Sequence, residues 1–199
     1  MKAITICLCM LLLSCTSEPL NVRYYLLHTP VNKVLPQSDT TKPVAVLQSL
    51  KVADYLRQSS LVLQVDDHEL HFSRQDVWAE KLQSAFYNAL LQDLNNKGQR
   101  NYLASSAPEA TVANTVIKVQ LNHFHATDTS KVVSSGRYWL TANNAIKDSN
   151  KTLVTSAHSF YFESDLTQDG YSHGVEQLRK LIGKLANQIE KDIAALVNS

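Results

Sequence analysis

Beyond residue 15 the chain has no cysteine: its three thiols are Cys7, Cys9 and Cys15. A domain that starts after them has no internal disulfide and no thiolate metal site, so packing alone must hold it together. Glycine is scarce as well. The 5 glycines are too few and too scattered for a loop that would turn several backbone N–H groups onto a phosphate. The motifs G-x-x-x-x-G-K-[ST], G-x-G-x-x-G and G-x-S-x-G are all missing. Nor is there an excess of charge of one sign. The formal net charge is +1, and Lys2 accounts for it, which leaves the rest of the chain at zero. A neutral domain lacks the basic footprint of a nucleic-acid binder, and it lacks a polybasic patch for anionic lipid. No apolar run beyond Leu13 approaches the ~20 residues needed to cross a bilayer.

What the sequence does have is a leader. Met1-Lys2 is followed by an apolar run from Ala3 to Leu13, then Ser14 and Cys15. A basic start, a short apolar segment and small residues at its end are the parts of a secretory signal. The run is about half the length of a spanning helix, which favours export over insertion. Its end, Leu12-Leu13-Ser14-Cys15, resembles a bacterial lipobox, with an aliphatic residue at −3, a small one at −1 and the Cys to be acylated. The alternative is an ordinary signal peptide with Cys15 incidental to it. The lipobox predicts a signal peptide over 1–14, cleavage before Cys15 and lipidation of Cys15. Each buried methylene contributes ~0.8 kcal/mol and stable anchoring takes two signals, a requirement that a triacylated Cys meets. Residues 15–21 are then a lipidated polar tether, and 22–199 a single domain large enough for a core of its own.

Within that domain the periodicities predict about six strands and two helices. Val22–Leu27 reads as a first strand, His28–Pro43 as a proline-bearing loop and Val44–Val52 as a second strand. Ala53–Arg57 is turn-like, and Leu61–Val65 with Glu69–Phe72 flanks a hairpin tip at Asp66-Asp67-His68. Ser73 with Asp76 three residues on has the form of a capping box, so a helix is expected from Ser73. Its apolar stripe would be Trp78, Leu82, Phe86, Leu90 and Leu94, its solvated face Glu80, Lys81, Gln83, Asn88 and Gln92, and its stop Asn95–Gly98. Thr115–His125 alternates with Ile117, Val119 and Leu121 on one side. Thr127–Gly136 reads as a polar turn, Tyr138–Ala142 as a strand, Asn143–Lys151 as a second polar turn and Val154–Phe162 as a third strand of an antiparallel meander. A final helix over Gly174–Val197 carries Leu178, Leu181, Ile182, Leu185, Ile189, Ile193 and Leu196. The expected fold class is α/β: a mixed, largely antiparallel sheet packed with two long amphipathic helices.

Candidate chemistry is thin. His123 and His125 at i and i+2 on a strand share a face, and His158 on a neighbouring strand would complete a three-His zinc site. The competing reading makes them the end of the half-buried face of Ile117, Val119 and Leu121, with no carboxylate spacing in support of a metal. That reading is preferred, so neither a metal nor a cofactor is expected. Asp66-Asp67 beside His68 invites an acid–base role, but consecutive residues at a hairpin tip point apart into water. Asn150-Lys151-Thr152 is a glycosylation sequon, which a bacterial lipoprotein would not present to that machinery. The Leu and Ile stripe of the last helix reads as core rather than as a partner-binding face.

Several separated residues nevertheless share one pattern. Tyr24-Tyr25-Leu26-Leu27 follows the lipidated Cys closely, Tyr55-Leu56-Arg57 leads into Leu61-Val62, and Trp78-Ala79-Glu80 with Leu82 opens the expected helix. In this order the motifs resemble the PqiC/YmbA family, the ABC-type transport auxiliary lipoproteins, over nearly the whole of Val22 to the last helix. Lys81 departs from the pattern, since the family often has proline there, a position in the first helical turn where proline is tolerated and not required.

The resemblance implies an α/β domain without enzymatic activity, on the periplasmic side of the outer membrane. Its implied partners are a tube-forming MCE-domain protein of the PqiB type and a PqiA-type inner-membrane protein. It also implies a ring-like homo-oligomer at the tube end, in a complex that moves lipids or other hydrophobic molecules between membranes. Thr16 after Cys15, in place of Asp, resembles the pattern sorted to the outer membrane. Two other readings stand beside this one: a lipoprotein that binds an apolar ligand on its own, and an exported hydrolase or metal enzyme built on His123 and His125.

Overall fold

The mixed sheet forms with eight strands, one beyond the seven segments that read as strands in the sequence. The computed structural model describes residues 21–28, 41–96, 99–143 and 153–198. The expected signal, Cys15, its tether up to residue 20, most of the His28–Pro43 loop, the Gly98 stop and the Asn150 sequon lie outside them. In chain order the elements are β1 (Arg23–Tyr25), β2 (Val44–Val52), β3 (Ser60–Asp66), β4 (Glu69–Trp78), α1 (Leu82–Asn96), β5 (Asn101–Ala104), β6 (Thr115–Thr127), β7 (Lys131–Asn143), β8 (Leu153–Asp165) and α2 (Tyr171–Asn198). Short 3₁₀ turns at Asp54–Arg57 and Pro108–Val112 complete the order.

β6 is the axis of the sheet. β7 runs antiparallel along its whole length and β8 along β7, the expected meander. On its other edge β6 is shared. β2 pairs parallel with Thr115–Leu121, while β3 takes over at Ala126 and Thr127. The sheet is therefore forked, with β5 beyond β2 on one branch and β4 then β1 beyond β3 on the other. The 3₁₀ turn at Asp54–Arg57 carries the chain across the notch. There the Ala53 N–H donates to the Leu121 carbonyl at 2.9 Å and the Tyr55 hydroxyl to the Asn122 carbonyl at 2.9 Å.

Both helices cover one face. Leu82, Phe86, Leu90 and Leu94 of α1 are at most 1 % exposed, as are Leu181, Ile182, Leu185, Ile189 and Ile193 of α2. Between the helices the Arg179 guanidinium grips Asp93 with two hydrogen bonds of 2.5 and 2.7 Å, a bidentate geometry that fixes their relative register.

Two expected elements fall differently. No helix starts at Ser73, because β4 continues through Trp78 and α1 begins at Leu82. The Ser73 half of the capping box does form. The N–H groups of Gln75 and Asp76 donate to Ser73 Oγ at 3.3 and 2.9 Å, and Ser73 Oγ donates to Asp76 Oδ2 at 3.1 Å. They close a wide bulge in β4 between Phe72, opposite Val62, and Val77, opposite Ser60. Pairing of Asp76, Val77 and Trp78 with β1 holds this segment extended, so tertiary pairing overrides the local helix signal. Trp78 is core, as expected, but from a strand.

The region expected as a polar turn over Thr127–Gly136 is mostly β7. The turn is only Asp128–Ser130, with Ser130 at φ 56°, the three-residue hairpin loop that ends in a left-handed residue. Strand β5 was not anticipated. It is held in register by the Asn95 side chain of α1, which accepts from the Tyr102 N–H at 3.0 Å and donates to the Tyr102 carbonyl at 2.8 Å.

Candidate functional site

The chain enters the sheet at β1, and a buried carboxylate fastens it there. Asp76, 3 % exposed, receives Arg23 Nε at 2.8 Å, the Tyr25 hydroxyl at 2.9 Å and the Ser73 hydroxyl at 3.1 Å. Burial alone would raise this carboxyl; the hydrogen bonds from Arg23, Tyr25 and Ser73 outweigh it and hold Asp76 below the ordinary carboxylate range. The Ala79 N–H donates to the Tyr25 carbonyl at 2.8 Å, and Leu27, 1 % exposed, sinks into the core. Tyr24 and Leu26, alternate residues of the same segment, face out at 70 and 47 % exposure. Capping-box spacing at Ser73 and Asp76 was legible in the sequence; that its carboxylate would clasp a strand 51 residues upstream was not.

The histidines separate. A bulge in β6 at Asn122, between Leu121 opposite Gly136 and His123 opposite Ser135, inverts the alternation of the strand. Phe124 thereby takes the helix-facing side against Phe86 and Trp78, with ring centroids 5.1 and 6.2 Å away. His123 and His125 turn to the opposite face, which corrects the expectation that they continue the face of Ile117, Val119 and Leu121. Their rings meet edge to face at 5.7 Å, and His125, 2 % exposed, packs on Tyr55. Burial, together with the neighbouring His123, pushes His125 below its ordinary range.

His158 lies elsewhere, on the helix side of β8 opposite Tyr138. Its ring stacks on Tyr138 at 5.0 Å and its Nδ1 is 3.3 Å from Asp192 Oδ2 of α2, which also accepts the Tyr138 hydroxyl. Burial first, and then this carboxylate, drive the Tyr138 phenol far above its ordinary range, so it stays a neutral donor at physiological pH. The Tyr138–His158–Asp192 cluster fastens the sheet to the last helix. Among the described residues no three His, Cys, Asp or Glu side chains converge on a metal-sized site.

The remaining surface with a distinct chemical character is the open face of β2, β6, β7 and β8. The register places Lys51, Gln120, Arg137 and Ser159 in one cross-strand row and Ser49, Lys118, Trp139 and Ala157 in the next. Ser49, Lys51, Lys118, Gln120, Trp139 and Thr141 line a shallow groove of about 490 Å³ there. Lys118 and Gln120 were expected to point away from Ile117, Val119 and Leu121, and they do. The meeting with Trp139 needed the register. No helix among the described residues is long and apolar enough to cross a membrane.

Set beside known proteins, this architecture has close company. A family model described as the ABC-type transport auxiliary lipoprotein component matches residues 25–190. The intermembrane transport lipoprotein PqiC of Escherichia coli (strain K12) is 26 % identical over 187 residues, covering 93 % of each chain, and PqiC of Shigella flexneri matches equally. Among solved structures, an uncharacterized protein superposes with a TM-score of 0.68 at 21 % identity, covering 87 % of this chain and 99 % of its own. A protein from Xanthomonas campestris superposes at 0.59 and 10 % identity, covering 84 and 92 %. The two structures speak for the fold alone. With a family match that runs from the β1 clasp to the last helix, the chain belongs to the ABC-type transport auxiliary lipoproteins, the PqiC/YmbA family.

Proposed function

We propose that this chain is a non-catalytic, lipid-anchored subunit of a trans-envelope transport complex. In this reading the signal over 1–14 is removed, Cys15 is acylated, and residues 22–199 form the working domain at the periplasmic face of the outer membrane. The domain receives the distal end of a tube-forming MCE-domain protein of the PqiB type, with a PqiA-type inner-membrane protein in the same system. The complex moves lipids or other hydrophobic molecules between the two membranes, and several copies of this chain ring the tube end.

The observation that carries the reading is the extent of the relationship to an intermembrane transport lipoprotein, 93 % of both chains, so that the whole domain is shared and not one module of it. The clasp adds physical support. A domain held through its N-terminal end needs that end fastened, and Asp76 with Arg23 and Tyr25 does so at β1. An independent carrier of apolar ligand is less favoured. Two open grooves of the described surface are lined mostly by polar side chains, and core residues pack between the sheet and the helices.

The test is co-purification. Membranes solubilised in mild detergent and captured through this chain should yield an MCE-domain protein. A complex that stays intact without this chain, and a capture that returns no such protein, would overturn the reading.

A further inference from the structure

Two charged surfaces of the chain are left without partners, and they are opposite in sign. Lys51, Lys118 and Arg137 on the open sheet face are exposed, and none forms an ion pair among the described residues. At the far end of the sheet the β3–β4 hairpin tip carries Asp66, Asp67 and Glu69, all exposed and none ion-paired among the described residues. Asp128 of the β6–β7 turn joins them, its N–H donating to the Gln64 carbonyl at 2.9 Å.

Within one chain these surfaces do not neutralise each other. From Gln120 to Thr127 along β6 is roughly 20 Å at ~3.3 Å per residue. The screening length at physiological salt is about 8 Å. The acidic surface is convex, a two-residue turn, and the basic one is an open groove of about 490 Å³ with the half-buried Trp139 in its wall. A chain whose net charge is close to zero, yet sorted into separate acidic and basic patches, is complementary in charge to its own copy.

We propose that the Asp66-Asp67-His68-Glu69 tip of one copy docks into the groove that Lys51 and Lys118 line on a second copy, with Arg137 next to Gln120 in the same cross-strand row. The contact is head to tail: each copy offers its tip to one neighbour and its groove to another, and such contacts close into a ring where the rotation per copy permits. The cations set the register and steer the encounter, while the Trp139 indole supplies apolar area. This deepens the ring part of the reading above and rests on it, whereas docking of an MCE-domain protein is a separate matter.

The experiment uses the full chain in mild detergent, measured by native mass spectrometry and light scattering over a salt series. The wild type should form an oligomer that shrinks as salt rises. Lys51→Glu with Lys118→Glu, and separately Asp67→Lys with Glu69→Lys, should each weaken self-association roughly tenfold or more. Mixing the two variants should restore assembly, because each then offers the charge that the other's patch needs. A single chain carrying all four substitutions should also assemble.

A wild type that stays monomeric, or variants that keep the wild-type distribution, would overturn the proposal. So would a mixture and a fourfold variant that both fail to assemble while circular dichroism shows them folded. Loss of binding to phosphatidylglycerol vesicles by the Lys51→Glu, Lys118→Glu variant, with assembly unchanged, would assign the groove to lipid and likewise overturn it. Failure to capture an MCE-domain protein with assembly intact would remove only the docking reading.

Discussion

Tyr138 in the middle of β7 donates a hydrogen bond from its phenolic O–H to Asp192 near the end of α2, tying the sheet to the helix across 54 residues of chain. The phenol is fully buried, and burial and the carboxylate both raise its proton affinity. Because the folded form binds this proton more tightly than the unfolded form, its contribution is complete below the ordinary tyrosine value of about 10 and is lost as pH rises beyond it. Tyr55, pushed up to about 12 by burial, acts in the same direction. Stability measured by urea titration should therefore fall from about pH 10 upward. Tyr138→Phe should flatten that alkaline fall and cost about 1–3 kcal/mol at neutral pH, since Asp192 loses a donor. An unchanged alkaline slope would show that the phenol is not the titrating group.

The Asp76 clasp should open in acid. Its carboxyl is held below the ordinary value, so its contribution is complete above about pH 4 and is lost as pH falls toward the folded value. Hydrogen exchange at the Ala79 amide, which donates to the Tyr25 carbonyl, should accelerate over that range. In Asp76→Asn the same amide should exchange faster already at neutral pH, with little further response to acid.

His125 gives a second acid response at higher pH. Its burial favours the neutral ring, so the unfolded chain binds a proton that the folded chain resists. Stability should decline as pH drops from about 6.5, and His125→Phe, which keeps a ring against Tyr55, should remove this part of the decline. Thermal melts at pH 7.5 and 5.5 on both proteins separate it from the Asp76 effect.

Gly136 of β7 faces the β6 bulge at closest range. A Cβ placed there would stand 2.0 Å from the Gln120 carbonyl oxygen, backbone that cannot swing aside. Gly136→Ala should destabilise by about 1–3 kcal/mol, the usual cost of overpacking, and by more if β6 and β7 separate. The same change at Gly174, where nothing lies within 4 Å, should be nearly neutral or slightly stabilising within a helix.

Cys15→Ala should abolish incorporation of labelled palmitate and either release the domain or leave the signal uncleaved. Unchanged labelling would sink the lipobox assignment.

Much of this fold is written in periodicity. The Leu82–Leu94 and Leu178–Ile193 stripes and the Ile117–Leu121 alternation are local patterns whose burial follows from spacing alone. What spacing could not carry is pairing. The Ser73–Asp76 spacing signals a helix start locally, and the partner that holds it extended, β1, lies far back in the chain. Alternation alone places His123 and His125 on the core side, whereas one extra residue at Asn122 reverses every side chain after it, and nothing in the sequence marks that bulge. The basic sheet face is invisible in the sequence for the same reason: Lys51, Lys118 and Arg137 come from three strands, and only their register makes them neighbours.

The forked sheet also sets how the domain bears a load. A pull on the N-terminal end meets β1 first, a three-residue parallel ladder backed by one carboxylate, and passes through β4 and β3 before it reaches β6. The β6–β7–β8 meander and its two helices sit behind that branch and carry tension last. Force would peel the Arg23–Asp76 branch as a yielding element while the groove on the other branch keeps its shape.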